Sequence, residues 1–394
     1  MKIDDIVEVD KCCGCTACLN ICPQNCITMQ KNYEGFLVPI RDDFACTKCT
    51  LCERVCPILN KPINNNKAKA LIARTTRLDI LMDSTSGGIF TPIAELILEQ
   101  SGIVFGATFD HDFSIIHLEG KDAQSLGQFR GSKYVQSDLG NTFKQCKSYL
   151  DLGEKVLYSG TPCQIAGLKN YLGKDYNSLY TLDLVCKGVA SPLVWGKYLD
   201  FQVKKYKSKI KHVRFRRKTY GYHSSTMSII FENKKEYNGS GRVDYMLKSY
   251  YKEFCSRKSC HSCMFKSENH VSDITIFDGW HYTQLTNKKD DDRGYTNAFI
   301  NSRKGESLFE LLKNRVRFDY VDIESAINLD GKMVRKSSVA NKHREDFLKC
   351  CIEVGIEEAI QNYLPVTKAD LIFERSKRIL YKLKILKILK ILKK

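Results

Sequence analysis

Cys12, Cys15, Cys18 and Cys22 form a run that returns thirty-four residues later as Cys46, Cys49, Cys52 and Cys56. Both runs read C-x2-C-x2-C-x3-C-P, closed by Pro23 and Pro57. Thiolates at this spacing hold 4Fe-4S clusters. The two-residue gaps let a tight loop wrap three thiolates around one cubane, and the cysteine before the proline is carried by the turning chain to the other cluster. The spacing therefore predicts one cluster on Cys12, Cys15, Cys18 and Cys56, and a second on Cys46, Cys49, Cys52 and Cys22. The chemistry is one-electron transfer. Zinc sites favour paired CxxC hairpins, and a disulfide framework has no reason for a doubled register, so neither rival accounts for the repeat.

Four places beyond residue 60 also carry chemistry. Ser84, Thr85, Ser86, Gly87 and Gly88 precede a predicted helix, where hydroxyls and bare amides suit a pyrophosphate or simply cap the helix. Arg130, Gly131, Ser132, Lys133, Tyr134, Val135 and Gln136 make a polar, basic turn that suits a phosphate or a flavin ring, or else a surface loop. Cys163 follows one predicted strand, Cys186 ends another, and Cys260 and Cys263 form a CxxC. These four would supply a third cluster at the strand edge where cofactors gather in α/β sheets; zinc or structural cysteine fits the same residues. Cys13, Cys26, Cys146, Cys255, Cys350 and Cys351 show no partner spacing and read as packing residues. Asp273 and Asp278, with Trp280 and Asp183, form an acidic group near an indole, or ordinary turn carboxylates.

The elements that must hold these residues alternate. The pattern predicts a helix over 89–100, strands over 103–109, 156–159 and 179–185, and a helix over 164–172. Strands follow at 212–216, 273–277 and 298–300, with a hairpin starting at 227. This is an α+β chain: a small two-cluster ferredoxin domain (1–60), a polar linker, and a larger mixed α/β body. The body divides into an N-terminal part (67–150) and a C-terminal part with the third cluster (151–320), before a helical extension with a basic tail (321–394). The chain has 394 residues, 18 cysteines and a net charge of +17. Residues 1–60 carry six Lys or Arg against eight Asp or Glu, so the positive charge lies in the body and tail. Ten cysteines before residue 57, no apolar leader and no run long enough to span a bilayer point to a reducing, cytoplasmic location. The tail from Leu380 to Lys394 is cationic and apolar, which suits peripheral contact with the inner face of a membrane; a frayed terminus or a partner-binding helix fits it too. Nine Lys or Arg within 204–218 raise nucleic acid as a partner, but the strand alternation at 212–216 favours a solvated face or the wall of an anionic substrate site.

The four places, in this order, resemble the family of coenzyme F-420 hydrogenase/dehydrogenase beta subunits. The matching segments are STSGG (84–88), GIVFGATFD (102–110), RGSKYVQSDL (130–139), SGTPCQIAGL (159–168), DLVCKGVASP (183–192), VRFRRK (213–218), RKSCHSCMF (257–265) and SDITIFDGW (272–280). The resemblance covers roughly residues 1–305. It implies an iron–sulfur flavoprotein oxidoreductase with three 4Fe-4S clusters and FAD, the body cluster on Cys163, Cys186, Cys260 and Cys263. It places 84–88, 130–136, Thr161, Gln164 and Lys187 on the flavin side, with Arg130, Lys133 and Lys187 as candidates for stabilising an anionic reduced flavin. Electrons would pass between a ferredoxin-like redox partner and a two-electron substrate, a deazaflavin or another organic molecule, with a link to polysaccharide biosynthesis as one setting. The alternative is a non-catalytic electron-transfer component of a larger complex. Two departures bear on the substrate: Lys187 stands where histidine is frequent in similar sequences, and 276–280 reads IFDGW, where a glycine before the aspartate and an aromatic after it are more usual.

Overall fold

The structure is a computed structural model that describes residues 6–383 and residue 385. Most of the basic run 380–394 lies outside the described residues.

The doubled cysteine run is a doubled backbone turn. Thr16 (φ 62°) and Thr50 (φ 60°) both adopt the left-handed conformation and lead into the short helices Ala17–Ile21 and Leu51–Arg54. Between the runs, β1 (Ile27–Lys31) and β2 (Leu37–Arg41) pair antiparallel. The polar linker is tied to the body: Asn64 Nδ2 donates to the His270 carbonyl (2.7 Å) and Lys61 Nζ to that of Met264 (2.6 Å).

The body strands are β3 (Lys69–Thr75), β4 (Ile103–Phe109), β5 (Ile115–Gly120), β6 (Val156–Gly160), β7 (Leu179–Leu184), β8 (Ile210–Arg217), β9 (Thr226–Phe231), β10 (Glu236–Gly239), β11 (Ile274–Asp278), β12 (Thr296–Ile300) and β13 (Val316–Tyr320). Eight of them form one sheet in the order β13-β3-β12-β11-β7-β6-β4-β5. Its centre, β11-β7-β6-β4, is parallel and its flanks are antiparallel. Parallel neighbours require crossovers, and the helices Thr142–Asp151 and Pro162–Leu172 provide them. Alternate side chains of the central strands go to opposite faces. Val104, Leu157 and Leu182 pack with Ile93 and Ile97 of the helix Phe90–Leu98. Ile103, Phe105, Val156 and Tyr158 pack with Phe143, Ile165 and Leu168 on the other face. Burial on both faces explains why these strands read as apolar runs rather than alternations. Residues 67–150 and 151–320 thus contribute strands to the same sheet.

A smaller sheet, β8-β9-β10, packs through Val213, Phe215, Met227, Ile229 and Phe231 onto Trp195 and Tyr198 of the helix Pro192–Tyr206. The helices Arg344–Glu353 and Ile356–Tyr363 close the same core. Four of the nine cations in the basic stretch 204–218 have ion-pair or hydrogen-bond partners within the protein, while Lys204, Lys205, Lys207, Lys209 and Lys211 are exposed. Arg214 pairs with Asp83, Arg216 with Asp278 and Arg217 with Glu236. Lys218 is buried and donates to the Leu81 and Ser86 carbonyls, both at 2.6 Å. No described helix is long and apolar enough to cross a membrane.

Candidate redox site

The two cysteine runs cross over as their spacing requires. Cys12 and Cys56 lie in one small cluster with Val7, and the Cys18 thiol is raised by burial and by Cys12 and Cys56 beside it. On the far side of the head, Cys22, Cys46, Cys49 and Cys52 line one cavity of about 230 Å³. Cys26 joins them, its Sγ 3.3 Å from that of Cys22. Cys26 is therefore not the ordinary packing residue that its spacing implies.

In the body, Cys163, Cys186, Cys260 and Cys263 line a second cavity of about 380 Å³. Each arrives from a different piece of the fold. Cys163 opens the helix after β6, behind a Thr161–Gln164 capping box with Pro162 in the first turn. Cys186 stands just past β7. Cys260 lies within the 3₁₀ turn Lys258–Ser262 and Cys263 directly follows it, and Lys266 ties this segment down by donating to the Cys186 and Met333 carbonyls. Gly188 (φ 143°) lets the chain pass close to Cys260, where an added Cβ would sit 3.1 Å from the Cys260 Cβ. Burial and the neighbouring thiols push Cys186 up and Cys260 up to about 12, so ionisation here calls for a cation to offset it. Among the described residues no three Cys, His, Asp or Glu side chains are drawn close enough to grip a single metal ion. Four thiolates are a donor set that a 4Fe-4S cluster or a tetrahedral zinc ion can use. The donor set fits an iron–sulfur cluster.

Cys13 lines the same cavity, its thiol against both Cys15 of the head and Cys163 of the body. This corrects its reading as a packing residue, whereas Cys146, Cys255 and Cys351 do lie in apolar cores. The junction is held by contacts that no spacing announces. Arg257 donates from Nε to the Cys12 carbonyl (2.7 Å) and from Nη1 to that of Leu37 (2.9 Å). Glu34 in the head hairpin receives both Nη groups of Arg344 at 2.7 and 2.6 Å, with both side chains 3% exposed. Asn20 Nδ2 donates to the Gly140 carbonyl at 2.9 Å.

A larger cavity, about 1110 Å³, opens beside the cysteine cavity. Thr161, Gln164, Cys186, Lys187, Gly188 and Met333 line both. Its volume exceeds that of an ordinary drug-sized pocket and suits a dinucleotide. Both segments singled out for a flavin form its wall: Ser84, Thr85, Ser86 and Gly88, and Arg130 to Val135. They are joined, since the Ser132 amide donates to Thr85 Oγ1 at 2.9 Å. Two expected residues are not on this wall. Gly87 packs against the backbone of β3 and β12, where a Cβ would meet the Ala73 carbonyl at 2.4 Å. Gln136 turns toward the head, accepting from the Leu37 amide (2.8 Å) and lining the cysteine cavity.

The three expected cations differ in circumstance. Arg130 is held by Asp83 (2.8 Å) and Lys187 by Glu253. Lys133 instead donates to the Phe129 and Gly131 carbonyls at 3.2 and 3.3 Å, and burial, with Arg214 nearby, pulls it down to about 7. His117 is a further wall residue, one that no motif marks. Its Nε2 meets the Ser159 carbonyl at 3.1 Å and so carries the proton, which leaves Nδ1 as a buried acceptor without a partner. Burial holds its pKa down to about 4, so the ring stays neutral. Opposite, Arg216 donates to Asp278 (2.5 Å) while its Nη2 has no partner. Trp280 stacks on Tyr222 with ring centroids 4.2 Å apart. Asp278 belongs to this wall, but Asp183 and Asp273 do not. Asp183 is buried between His270 and Thr275, and Asp273 accepts from Thr181 and Ser302.

Comparisons with known proteins identify two segments of the chain. Residues 11–59 match the 4Fe-4S dicluster domain, and residues 153–326 match the family described as coenzyme F420 hydrogenase/dehydrogenase, C terminus of the beta subunit. The F subunit of the F(420)H(2) dehydrogenase of Methanosarcina mazei is 21% identical over 384 residues, covering 92% of this chain and 98% of that protein. The coenzyme F420-dependent sulfite reductase of Methanocaldococcus jannaschii is 23% identical over 362 residues, which are 88% of this chain and 53% of the relative, about half its length. A chain of the F420-reducing NiFe hydrogenase complex of Methanosarcina barkeri superimposes with a TM-score of 0.42 at 18% identity, covering 76% of this chain and 92% of that one. The chain carries a 4Fe-4S dicluster domain followed by the C-terminal domain of the beta subunit of the coenzyme F420 hydrogenase/dehydrogenase family, and is an iron–sulfur electron-transfer oxidoreductase related to F420-linked enzymes.

Proposed function

We propose that the chain is an iron–sulfur flavoprotein with three 4Fe-4S clusters and FAD, exchanging electrons between a ferredoxin-type redox partner and a two-electron substrate. The observation that carries this reading is the shared wall. The cavity lined by Cys163, Cys186, Cys260 and Cys263 adjoins the dinucleotide-sized cavity on one side and Cys13 and the head on the other. When bound, the clusters supply one-electron steps and the flavin the two-electron step that most organic substrates need. The chain's own residues then have distinct tasks. Thr85, Ser86 and Gly88, with the Ser132 hydroxyl, supply polar groups for phosphate oxygens. His117 Nδ1 accepts from a ligand N–H or O–H. Lys133 brings a cation that no carboxylate neutralises, suited to a negatively charged reduced ring. Trp280, backed by the buried Tyr222, and Arg216 form another part of the wall, where a planar, electron-rich substrate would lie. The names of both relatives favour a deazaflavin as that substrate. One relative is a component of a dehydrogenase, which favours as a second reading a carrier that turns over only within a complex.

The test is anaerobic reconstitution. The wild-type chain should bind roughly twelve irons, three cubanes of four, and a flavin whose band bleaches on reduction. The double variant C163S/C260S should fall to roughly eight irons and keep the head-cluster paramagnetic resonance signals. Wild-type protein with eight irons and no flavin refutes the proposal. A fully loaded chain that reduces no small molecule alone, but does so with its partner, selects the second reading.

A further inference from the structure

The helix Lys368–Lys382 has two faces with different uses. Its inner face is fixed to the body. Glu374 is buried and accepts from the Ser240 amide (3.2 Å) and hydroxyl (2.6 Å). Arg378 donates to the Asn238 carbonyl at 2.5 Å, and Tyr381 packs edge-on against Tyr220 with centroids 5.2 Å apart. So anchored, the helix roofs the large cavity with Phe373, Ser376, Lys377 and Leu380.

The outer face is apolar and uncovered. Ile372, Ile379 and Leu383 are 66%, 58% and 60% exposed. At about 100° per residue, Ile379 and Leu383 fall within roughly 20° of Ile372, so the three make one stripe. Exposed Arg375 lies about 60° to one side of it, and the cavity-lining Ser376 about 40° to the other. From Arg375 to Lys394 the sequence holds nine Lys or Arg and no acid, and ends in three Ile-Leu-Lys triplets.

We propose that this helix is an interfacial anchor whose outer stripe enters an anionic lipid surface, so that the mouth of the large cavity opens beside the bilayer. An aliphatic line flanked by cations satisfies both requirements of reversible membrane attachment: apolar burial and a basic patch drawn to an anionic surface. A short repeat of one triplet suits a uniform surface better than a shaped protein groove. An acidic protein partner would use the charge but leave the stripe in water.

The experiment is co-sedimentation of the full, cofactor-loaded chain with vesicles of phosphatidylcholine alone, or with one-third phosphatidylglycerol. Binding is expected only to the anionic vesicles and should weaken with added salt. The variant I372E/I379E/L383E, changed only at exposed positions, should bind at least about tenfold more weakly with unchanged iron content and circular dichroism. Absence of wild-type binding, or full binding by the triple variant, overturns the proposal. So does equal affinity for soluble polyglutamate, which would point to an acidic protein.

Discussion

Glu34→Gln is the sharpest perturbation of the electron path, because it touches no cysteine and no cavity wall. Glu34 sits in the head hairpin between β1 and β2, and its carboxylate takes both Nη groups of Arg344 where neither side chain meets water. The glutamine amide of the variant would offer one accepting oxygen in place of two and leave a guanidinium buried without its counter-charge. Removing one partner of such a pair costs about 3–5 kcal/mol, roughly a hundred- to several-thousand-fold in the docking equilibrium. Other head–body bonds involve Arg257, Asn20 and Gln136, and also Ser191 Oγ to the Glu34 carbonyl and the Lys144 amide to Asn20 Oδ1; they contribute about 1 kcal/mol each, somewhat more for the two from the guanidinium. The head should therefore undock for a measurable fraction of the time while the body stays folded. Limited proteolysis reads this at the linker 60–66, with iron content as the control. The pair E34Q/R344M should recover much of the loss, since both charges are then gone. Equal cleavage of wild type and E34Q, or single-variant effects that simply add in the double variant, would refute the reasoning.

Two further outcomes follow from the cavity walls. Burial lowers Lys133 from 10.5 to about 7 in the folded protein. The cost of burying its charge is thus fully present below about pH 7 and is relieved as pH rises from there toward 10.5. K133M should raise the thermal midpoint of the cofactor-free protein most at about pH 6, the gain shrinking as pH rises, and spectroelectrochemistry should show a more negative flavin potential in the loaded variant; a pH-independent gain would contradict this. At Gly167 a Cβ would lie 2.8 Å from Cys15 Sγ. G167A should cost iron in the head despite an intrinsic helix gain of about 1 kcal/mol, and a more stable variant with full iron would show that Cys15 is free to move.

How far the chain was legible depends on how local each signal is. The head was readable because a cubane's ligands lie close in sequence, so spacing alone sorts Cys12, Cys15, Cys18 and Cys56 from Cys46, Cys49, Cys52 and Cys22. The central strands β4, β6, β7 and β11 were readable because burial on both faces leaves short apolar runs. β5 and β13 escaped notice as the two edges of the sheet, and β3 was missed although five of its seven residues are buried. His117 and the Glu34–Arg344 pair carry no sequence signal, because their partners come from strands or helices far away. Arg257 had one: it stands three residues before Cys260.

Cys13 shows most clearly where spacing stops being informative. Next to Cys12 it looks redundant, since the repeat already supplies four ligands and leaves it over. Its position becomes significant only once the head docks. Arg257 then holds the Cys12 carbonyl, Gly167 admits Cys15 against the helix Pro162–Leu172, and Cys13 lies between Cys15 and Cys163. Spacing specifies which thiolates share a loop, but the route between two loops is set by the surface on which they meet. That surface is built from Glu34, Arg344, Asn20 and Gln136, none of which can donate to iron through sulfur. On the proposed function, electron delivery from head to body would rest on an ordinary polar interface, and substitutions there should slow transfer while leaving every cluster intact.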